Sequence, residues 1–185
     1  AHLEENIELA AENGPHLCVV AGPTPAMERM QQRLEAAGIA TRKLLTSHAF
    51  HSAMMEPVIA PMRARLASIA LQAPRIPILS TVTAEWLSDA EACDPDYWAE
   101  HLRKPVRFAP AVAKLVTDPA RLLVEIGPRA TLTTLAHQAA VGKRGQTVSV
   151  ASLSDSAEGE SAAIATALGR LWTLGAAPDW RAYTA

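Results

Sequence analysis

The run Ile7-Glu8-Leu9-Ala10-Ala11-Glu12-Asn13-Gly14-Pro15-His16-Leu17-Cys18-Val19-Val20-Ala21, followed by Gly22-Pro23-Thr24-Pro25, decides how the first part of the chain folds. Ile7, Leu9 and Ala11 alternate as on one face of a strand. Asn13-Gly14-Pro15 favours a tight turn, and Leu17 to Ala21 is a second short strand, which predicts a hairpin. Working outward, Thr24 is placed as a helix N-cap, Pro25 at the first helical position and Gly38 as the stop. Met27, Met30, Leu34 and Ala37 recur at helical spacing between them, predicting a helix over 25–37. Arg42 to Thr46 is a further short strand candidate.

Residues 1–47 therefore read strand, strand, helix, strand, three-quarters of a ferredoxin-like βαββαβ unit without its first strand and helix. A second amphipathic helix is marked by Met55, Val58 or Ile59, Met62, Leu66 and Ile69, with Ser52 as its N-cap and Pro57 in its first turn. Ile76 to Leu79 reads as an edge-like strand because of Pro77. Pro95 to Leu102 gives a helical turn, and residues 106–117 another helix. Leu122 to Ile126, closed by Gly127-Pro128, has the continuous apolar character of a buried parallel strand feeding a helix over Leu132 to Gln138. Val141 to Gln146 and Ser152 to Ser161 read as flexible connection around a strand at Thr147 to Ala151. Ala162 to Trp172 is the last helix, and Gly175 to Trp180 is irregular and aromatic. The expected fold class is α/β, with an α+β small part.

Composition narrows the function classes. The 185 residues are 49% hydrophobic and 19% charged, enough to bury a core and too apolar for a disordered segment. Lys plus Arg total 17 against 19 for Asp plus Glu, so a net charge of −2 offers no broad positive field for nucleic acid. The longest apolar runs fall far below the roughly 20 residues needed to cross a bilayer. The opening Ala1 to Asn6 has neither a basic nor an apolar region of a secretory signal. Cys18 and Cys93 alone make no disulfide framework, so a cytoplasmic location is expected. Cys18, in an apolar strand, is expected to be an inert core residue.

No G-x-S-x-G nucleophile elbow, P-loop or G-x-G-x-x-G occurs in the sequence. The six histidines form no H-E-x-x-H and the cysteines no C-x-x-C, so no metal site is expected. The densest chemical cluster is Ser47-His48-Ala49-Phe50-His51-Ser52, between a strand candidate and a helix, where catalytic side chains are often presented. Two histidines three apart can divide the tasks of base and hydrogen-bonding support. Composition alone favours the plainer alternative, a satisfied surface loop.

The motifs taken in order carry more. His48-Ala49-Phe50-His51-Ser52 with Met55 and Pro57 resembles the second catalytic motif of the acyltransferase domains of modular polyketide synthases. Asn13-Gly14-Pro15, Val19-Val20-Ala21-Gly22, Pro74-Arg75-Ile76-Pro77, Tyr97-Trp98, His101 to Phe108 and Glu125-Ile126-Gly127-Pro128 follow in the same order as in that family. Leu168 to Trp172 and Gly175 through Trp180 resemble the linker that follows such a domain. The resemblance covers nearly the whole chain.

The resemblance implies residues 1–47 in a partial ferredoxin-like small subdomain, 48–140 in the C-terminal part of a hydrolase-like large subdomain, and 141–185 in the post-acyltransferase linker. It implies His51 as the base that activates a serine carried by a G-H-S-x-G elbow, with malonyl-CoA as donor and the phosphopantetheine thiol of an acyl carrier protein as acceptor. No cofactor is expected to stay bound. The backbone carbonyl of Lys104 takes the place of an acidic third member that orients the imidazole. Phe50 stands where His-Ala-Phe-His marks malonyl users and Tyr-Ala-Ser-His methylmalonyl users, because a phenyl ring fills space needed by a C2 methyl. His48 either supports the pocket or is exposed. Asn13 makes turn hydrogen bonds or approaches the pocket. Ser52 is a cap rather than a nucleophile.

Without the elbow and its downstream arginine, the chain is expected to be the C-terminal portion of such a domain, inactive by itself. Its expected partners are then the N-terminal part with the serine and an adjacent ketosynthase domain. The alternative is a non-catalytic module that docks a carrier protein or a neighbouring synthase domain. A free-standing hydrolase with another nucleophile is the weakest reading.

Overall fold

In a computed structural model, residues 6–140 and 148–184 are described. The expected hairpin forms: β1 (Glu8–Gly14) pairs antiparallel with β2 (Leu17–Ala21). Its register slips between Leu9 and Ala11 and again between Glu12 and Gly14. Such bulges exchange the two faces of a strand. Ile7 and Ala10 are therefore the buried residues here, while Leu9, expected to share a face with Ile7, is 37% exposed. Cys18 is exposed, not a core residue: the cluster of Ile7, Ala26 and Met30 takes in Val20 from β2 and does not extend to Cys18.

Helix α1 (Thr24–Ala36) is the predicted helix with each end one residue earlier. Pro23, at φ −59° and ψ 138°, already holds the extended geometry of an N-cap, so Thr24 falls inside the helix and caps nothing. The helix ends in a Schellman turn. The Ile39 amide donates to the Leu34 carbonyl and the Gly38 amide to that of Glu35, at 2.9 and 3.0 Å. Gly38 sits at φ +74°, where glycine carries no Cβ penalty. Ala26 and Met30 from α1 close on Ile7, with Val20, Met27 and Leu34 packed around them. Gly22 has no substitute at this contact: a Cβ there would stand 2.6 Å from the Asn6 carbonyl oxygen.

Arg42 to Thr46 is not a strand. A strand needs a partner, and the neighbour of β1 on its other side is Val106, whose amide donates to Ala10 at 2.9 Å and whose carbonyl accepts from Glu12 at 2.8 Å. No described strand lies beside 42–46, and Leu45 is 98% exposed. Ser52 then caps a single 3-10 turn, Ala53–Met55, and α2 (Glu56–Ala67) follows with Pro57 in its first turn and Pro61 in its interior. Only Met55 and Ile59 of the expected apolar stripe are buried; Val58, Met62 and Ile69 face outward.

Ile76 to Leu79 makes one bridge, Leu79 to Trp86, rather than a strand, since Pro77 supplies no amide to extend a ladder. Ser88 and Glu91 form a reciprocal capping box on α3 (Asp89–Ala92), and Asp94 caps α4 (Pro95–Glu100). The indole of Trp98 donates to the Ala92 carbonyl at 2.9 Å, the Tyr97 hydroxyl to Ser80 Oγ at 2.5 Å, and Ala99 is wholly buried. These contacts fix α4 and the turn after it, from which Val106 returns to β1.

The chain divides into two units, Ala1–Ala111 and Val112–Ala185, and α5 (Phe108–Leu115) contains the division. In the second unit β3 (Leu122–Glu125) and β4 (Val148–Ala151) pair in parallel, as expected for mixed α/β architecture. The amides of Leu132 and Thr133, in the first turn of α6 (Thr131–Ala139), donate to the Glu125 carboxylate at 2.9 and 2.8 Å. Burial works to raise that carboxyl's pKa, and the amide bonds outweigh it and hold it below the ordinary glutamate value. β3 is not the buried strand its composition suggested: Val124 is 40% and Ile126 82% exposed, since only β4 flanks it among the described residues. Helix α7 (Glu160–Thr173) packs on β4, and α8 (Trp180–Thr184) sets Trp180 edge-on to Trp172 and Tyr183. The connection at 141–146 lies outside the described residues.

Candidate active site

The loop from Ser47 to Ser52 is held from beneath by its last residue. Ser52 is 1% exposed, its Oγ donates to the Ala49 carbonyl at 2.7 Å and accepts from the Met54 amide at 3.3 Å. A hydroxyl so enclosed and so occupied is a cap. It sets the step at which His51 adopts φ +61°, the left-handed region in which histidine is tolerated better than most side chains.

Two carbonyls of the turn after α4 hold His51. Its amide donates to Leu102 at 2.9 Å, and its Nδ1 lies 2.8 Å from the carbonyl oxygen of Lys104. A carbonyl only accepts, so Nδ1 carries the proton and Nε2 of the neutral ring keeps its lone pair. The ring is half-buried. An imidazole fixed through Nδ1 with a free Nε2 is arranged to take a proton.

The other sequence candidates divide. Phe50 is 40% exposed, which removes core packing as its explanation, and His48 lies edge-on to it with ring centroids 5.9 Å apart. His48 itself is exposed, with Nδ1 3.0 Å from Ser47 Oγ. Asn13 sits at the second irregularity of β1, half-buried, and contributes none of the hydrogen bonds that hold the histidine loop.

Three residues escaped the sequence reading. Glu8 and Arg103 form a pair beside the loop, and His101 stands on the turn that holds His51. Arg103 and His101 lie in the run His101 to Phe108, but nothing in their spacing gave them a task. His101 is half-buried between Tyr97, edge-on at 4.8 Å, and Trp98, stacked at 5.4 Å, with its Nε2 enclosed and unpartnered. Burial first, then the charges of His51 and Lys104, hold its imidazole below the ordinary histidine value. The folded protein thus binds this proton less readily than the unfolded chain does, and stability falls as pH drops from the ordinary histidine range toward the folded value. His101→Gln is expected to shrink the loss of Tm between about pH 7 and about pH 5, measured by thermal unfolding. An equal loss in the variant would count against this account.

Two other arrangements look catalytic and are not. Gly159-Glu160-Ser161 is a Gly-x-Ser triplet, but Ala163 follows and Ser161 lies in the first turn of α7, well after the end of β4. Ser149 Oγ is 3.0 Å from His137 Nε2, yet Ser149 is 2% exposed, too enclosed to meet a substrate. Among the described residues no group of three His, Cys, Asp or Glu side chains could hold a metal ion, and no helix is long and apolar enough to cross a membrane.

The chain resembles known proteins in both sequence and fold. Residues 1–177 match the family described as the acyl transferase domain. The chain is 35% identical over 182 residues to a phenolphthiocerol/phthiocerol polyketide synthase polypeptide of Mycobacterium tuberculosis, covering 97% of this chain and 12% of that protein. It superposes on the acyl transferase domain of SpnD, solved in complex with 2-(pent-4-yn-1-yl)malonyl, with a TM-score of 0.87 and 37% identity over 94% of this chain and 42% of that one. The acyltransferase domain from the second module of the salinomycin polyketide synthase gives 0.86 and 36%, over 97% and 41%. The chain thus spans about an eighth of its curated relative and about two-fifths of the solved domains. With the match running through both units and across the histidine loop, the chain belongs to the acyltransferase domain family of polyketide synthases.

Proposed function

We propose that this chain is the C-terminal portion of a polyketide synthase acyltransferase domain and supplies the base of a serine–histidine dyad, the serine coming from a G-H-S-x-G elbow that this sequence lacks. The observation that carries the reading is the Nδ1 contact of His51 with the Lys104 carbonyl. His51 Nε2 takes the serine proton as the hydroxyl attacks the thioester carbonyl of malonyl-CoA. The tetrahedral adduct collapses, the C–S bond breaks, and the coenzyme A thiolate leaves with the proton from Nε2. The phosphopantetheine thiol of a carrier protein gives its proton to the same nitrogen and attacks the acyl-serine; the acyl C–O bond breaks, and the serine oxygen leaves with that proton, restoring hydroxyl and neutral imidazole. The Lys104 carbonyl stabilises the imidazolium without taking its proton, and because it is backbone the lysine side chain is free to vary. Phe50, next to the base, biases the donor toward malonyl, with His48 against its edge. That the similar SpnD domain was solved with a substituted malonyl supports this donor class.

On this reading residues 1–47 belong to the small ferredoxin-like subdomain, represented by β1, β2 and α1. Residues 48–140 belong to the large subdomain and 141–185 to the linker, and the enzyme works in the cytoplasm beside a ketosynthase domain. The test is intact-mass analysis after incubation with malonyl-CoA. The chain alone is expected to stay unmodified, and the same chain joined to the serine-bearing part of the domain is expected to gain one malonyl group on serine. Malonylation of the chain alone would overturn the reading. Saturable carrier-protein binding by the chain alone, unaffected by His51→Ala and with no acylation of the joined domain, would favour the docking module instead.

A further inference from the structure

Glu8, the first residue of β1, has each carboxylate oxygen engaged on a different side of His51. Oε1 accepts from the Ala53 amide at 3.0 Å, two residues after the histidine. Oε2 accepts from Arg103 Nη1 at 2.6 Å. Arg103 stands between the two residues whose carbonyls hold His51, Leu102 and Lys104. Its Nε lies 3.4 Å from Glu56 Oε2, at the start of α2. Glu8 and Arg103 side chains are each only about a third exposed, whereas that of Glu56 is 70% exposed.

An isolated surface ion pair adds little to stability. This one does something else with its geometry: a single carboxylate ties the loop that carries the imidazole to the turn that carries its acceptor. His51 is in a left-handed backbone conformation, and its Nδ1 bond survives only while loop and turn keep their spacing. We propose that Glu8 and Arg103 are positioning residues that hold His51 in its Nδ1–H form. Its meaning for catalysis rests on the reading of His51 as the base, but the tie itself does not.

The test reads the ring directly. Long-range proton–nitrogen NMR spectra of the chain identify the protonated nitrogen of His51, assigned by the signal lost in His51→Asn. In Glu8→Ala the Nδ1–H form is expected to lose its dominance to Nε2–H. Glu8→Gln, which keeps an acceptor for the Ala53 amide, is expected to restore part of it, and Arg103→Lys part as well. Glu8→Ala combined with Arg103→Ala is expected to do no more than either alone, because the two act as one unit. A merely structural pair would lower Tm without moving the tautomer. Should Glu8→Ala fail to fold, Glu8→Gln and Arg103→Lys carry the same test. A folded variant with the wild-type tautomer overturns the proposal. In the joined domain, kcat is expected to fall by up to about 10²-fold with KM little changed. A tautomer shift with no change in kcat would leave the tie standing and count against His51 as the base.

Discussion

His51→Ala, made in the acyltransferase domain that includes the serine, is expected to lower the rate of serine malonylation by about 10²- to 10⁴-fold, the range that a positioned general base contributes. On the proposed mechanism the effect should lie in kcat, because a base that acts during attack contributes to the transition state and not to binding of the donor. Alanine also removes a side chain from a left-handed position, so a loss of rate could reflect a loop that has let go. His51→Asn separates the two effects. Asparagine tolerates that backbone region and can donate its amide to the Lys104 carbonyl, but it has no basic nitrogen to take a proton. Equal losses in the two variants, with Tm preserved in His51→Asn, identify the missing base. Activity retained by His51→Asn within about threefold would overturn the assignment, since a change that small falls far short of the loss of a general base.

The second large effect concerns the donor. Phe50→Ser is expected to raise the ratio of methylmalonyl to malonyl transfer by about 10-fold or more, and by no more than about 200-fold, because one methyl group is worth about 1–3 kcal/mol of discrimination. The phenyl group is 40% exposed and is the chain neighbour of His51, so on the proposed reading its removal opens volume beside the acyl group without emptying a core. Stability should hardly change. Competition between the two coenzyme A esters, read as the mass of the acyl-serine, measures the ratio directly. A ratio unmoved in a folded variant would show that discrimination resides elsewhere and would leave Phe50 an ordinary loop residue.

Much of the fold is local and was legible for that reason. The turn at Asn13-Gly14-Pro15, the stripe of α1 and the Gly38 stop each lie within a few residues of what they specify. The failures are of the opposite kind. The bulges in β1 place Ala10 rather than Leu9 inside, and they occur where Val106 pairs with Ala10 and Glu12 from far along the chain. Arg42 to Thr46 has strand-like composition, but composition does not supply a partner edge.

The site shows the same division. His51 and Phe50 could be singled out because a motif names side chains. From the residues alone, a plain surface loop was the favoured reading of the cluster at 47–52. The Lys104 carbonyl is invisible to residue type, since any side chain presents the same acceptor, and only the resemblance pointed to it. Glu8 drew no reading of its own from the sequence. Its task depends on Ala53 and Arg103, to which no periodicity leads.

The bonds around the imidazole also have a temporal meaning. His51 meets Lys104 across 53 residues of chain and Glu8 meets Arg103 across 95. Contacts of that separation cannot form until the hairpin, α1, α2 and α4 are already docked, so the site is among the last parts of its unit to assemble. For the same reason it opens only when a large part of that unit opens. The amide protons of His51 and Ala53, bonded to the Leu102 carbonyl and the Glu8 carboxylate, should then exchange with solvent together and as slowly as those of the hairpin ladder, which would make the histidine loop as persistent as the sheet beside it.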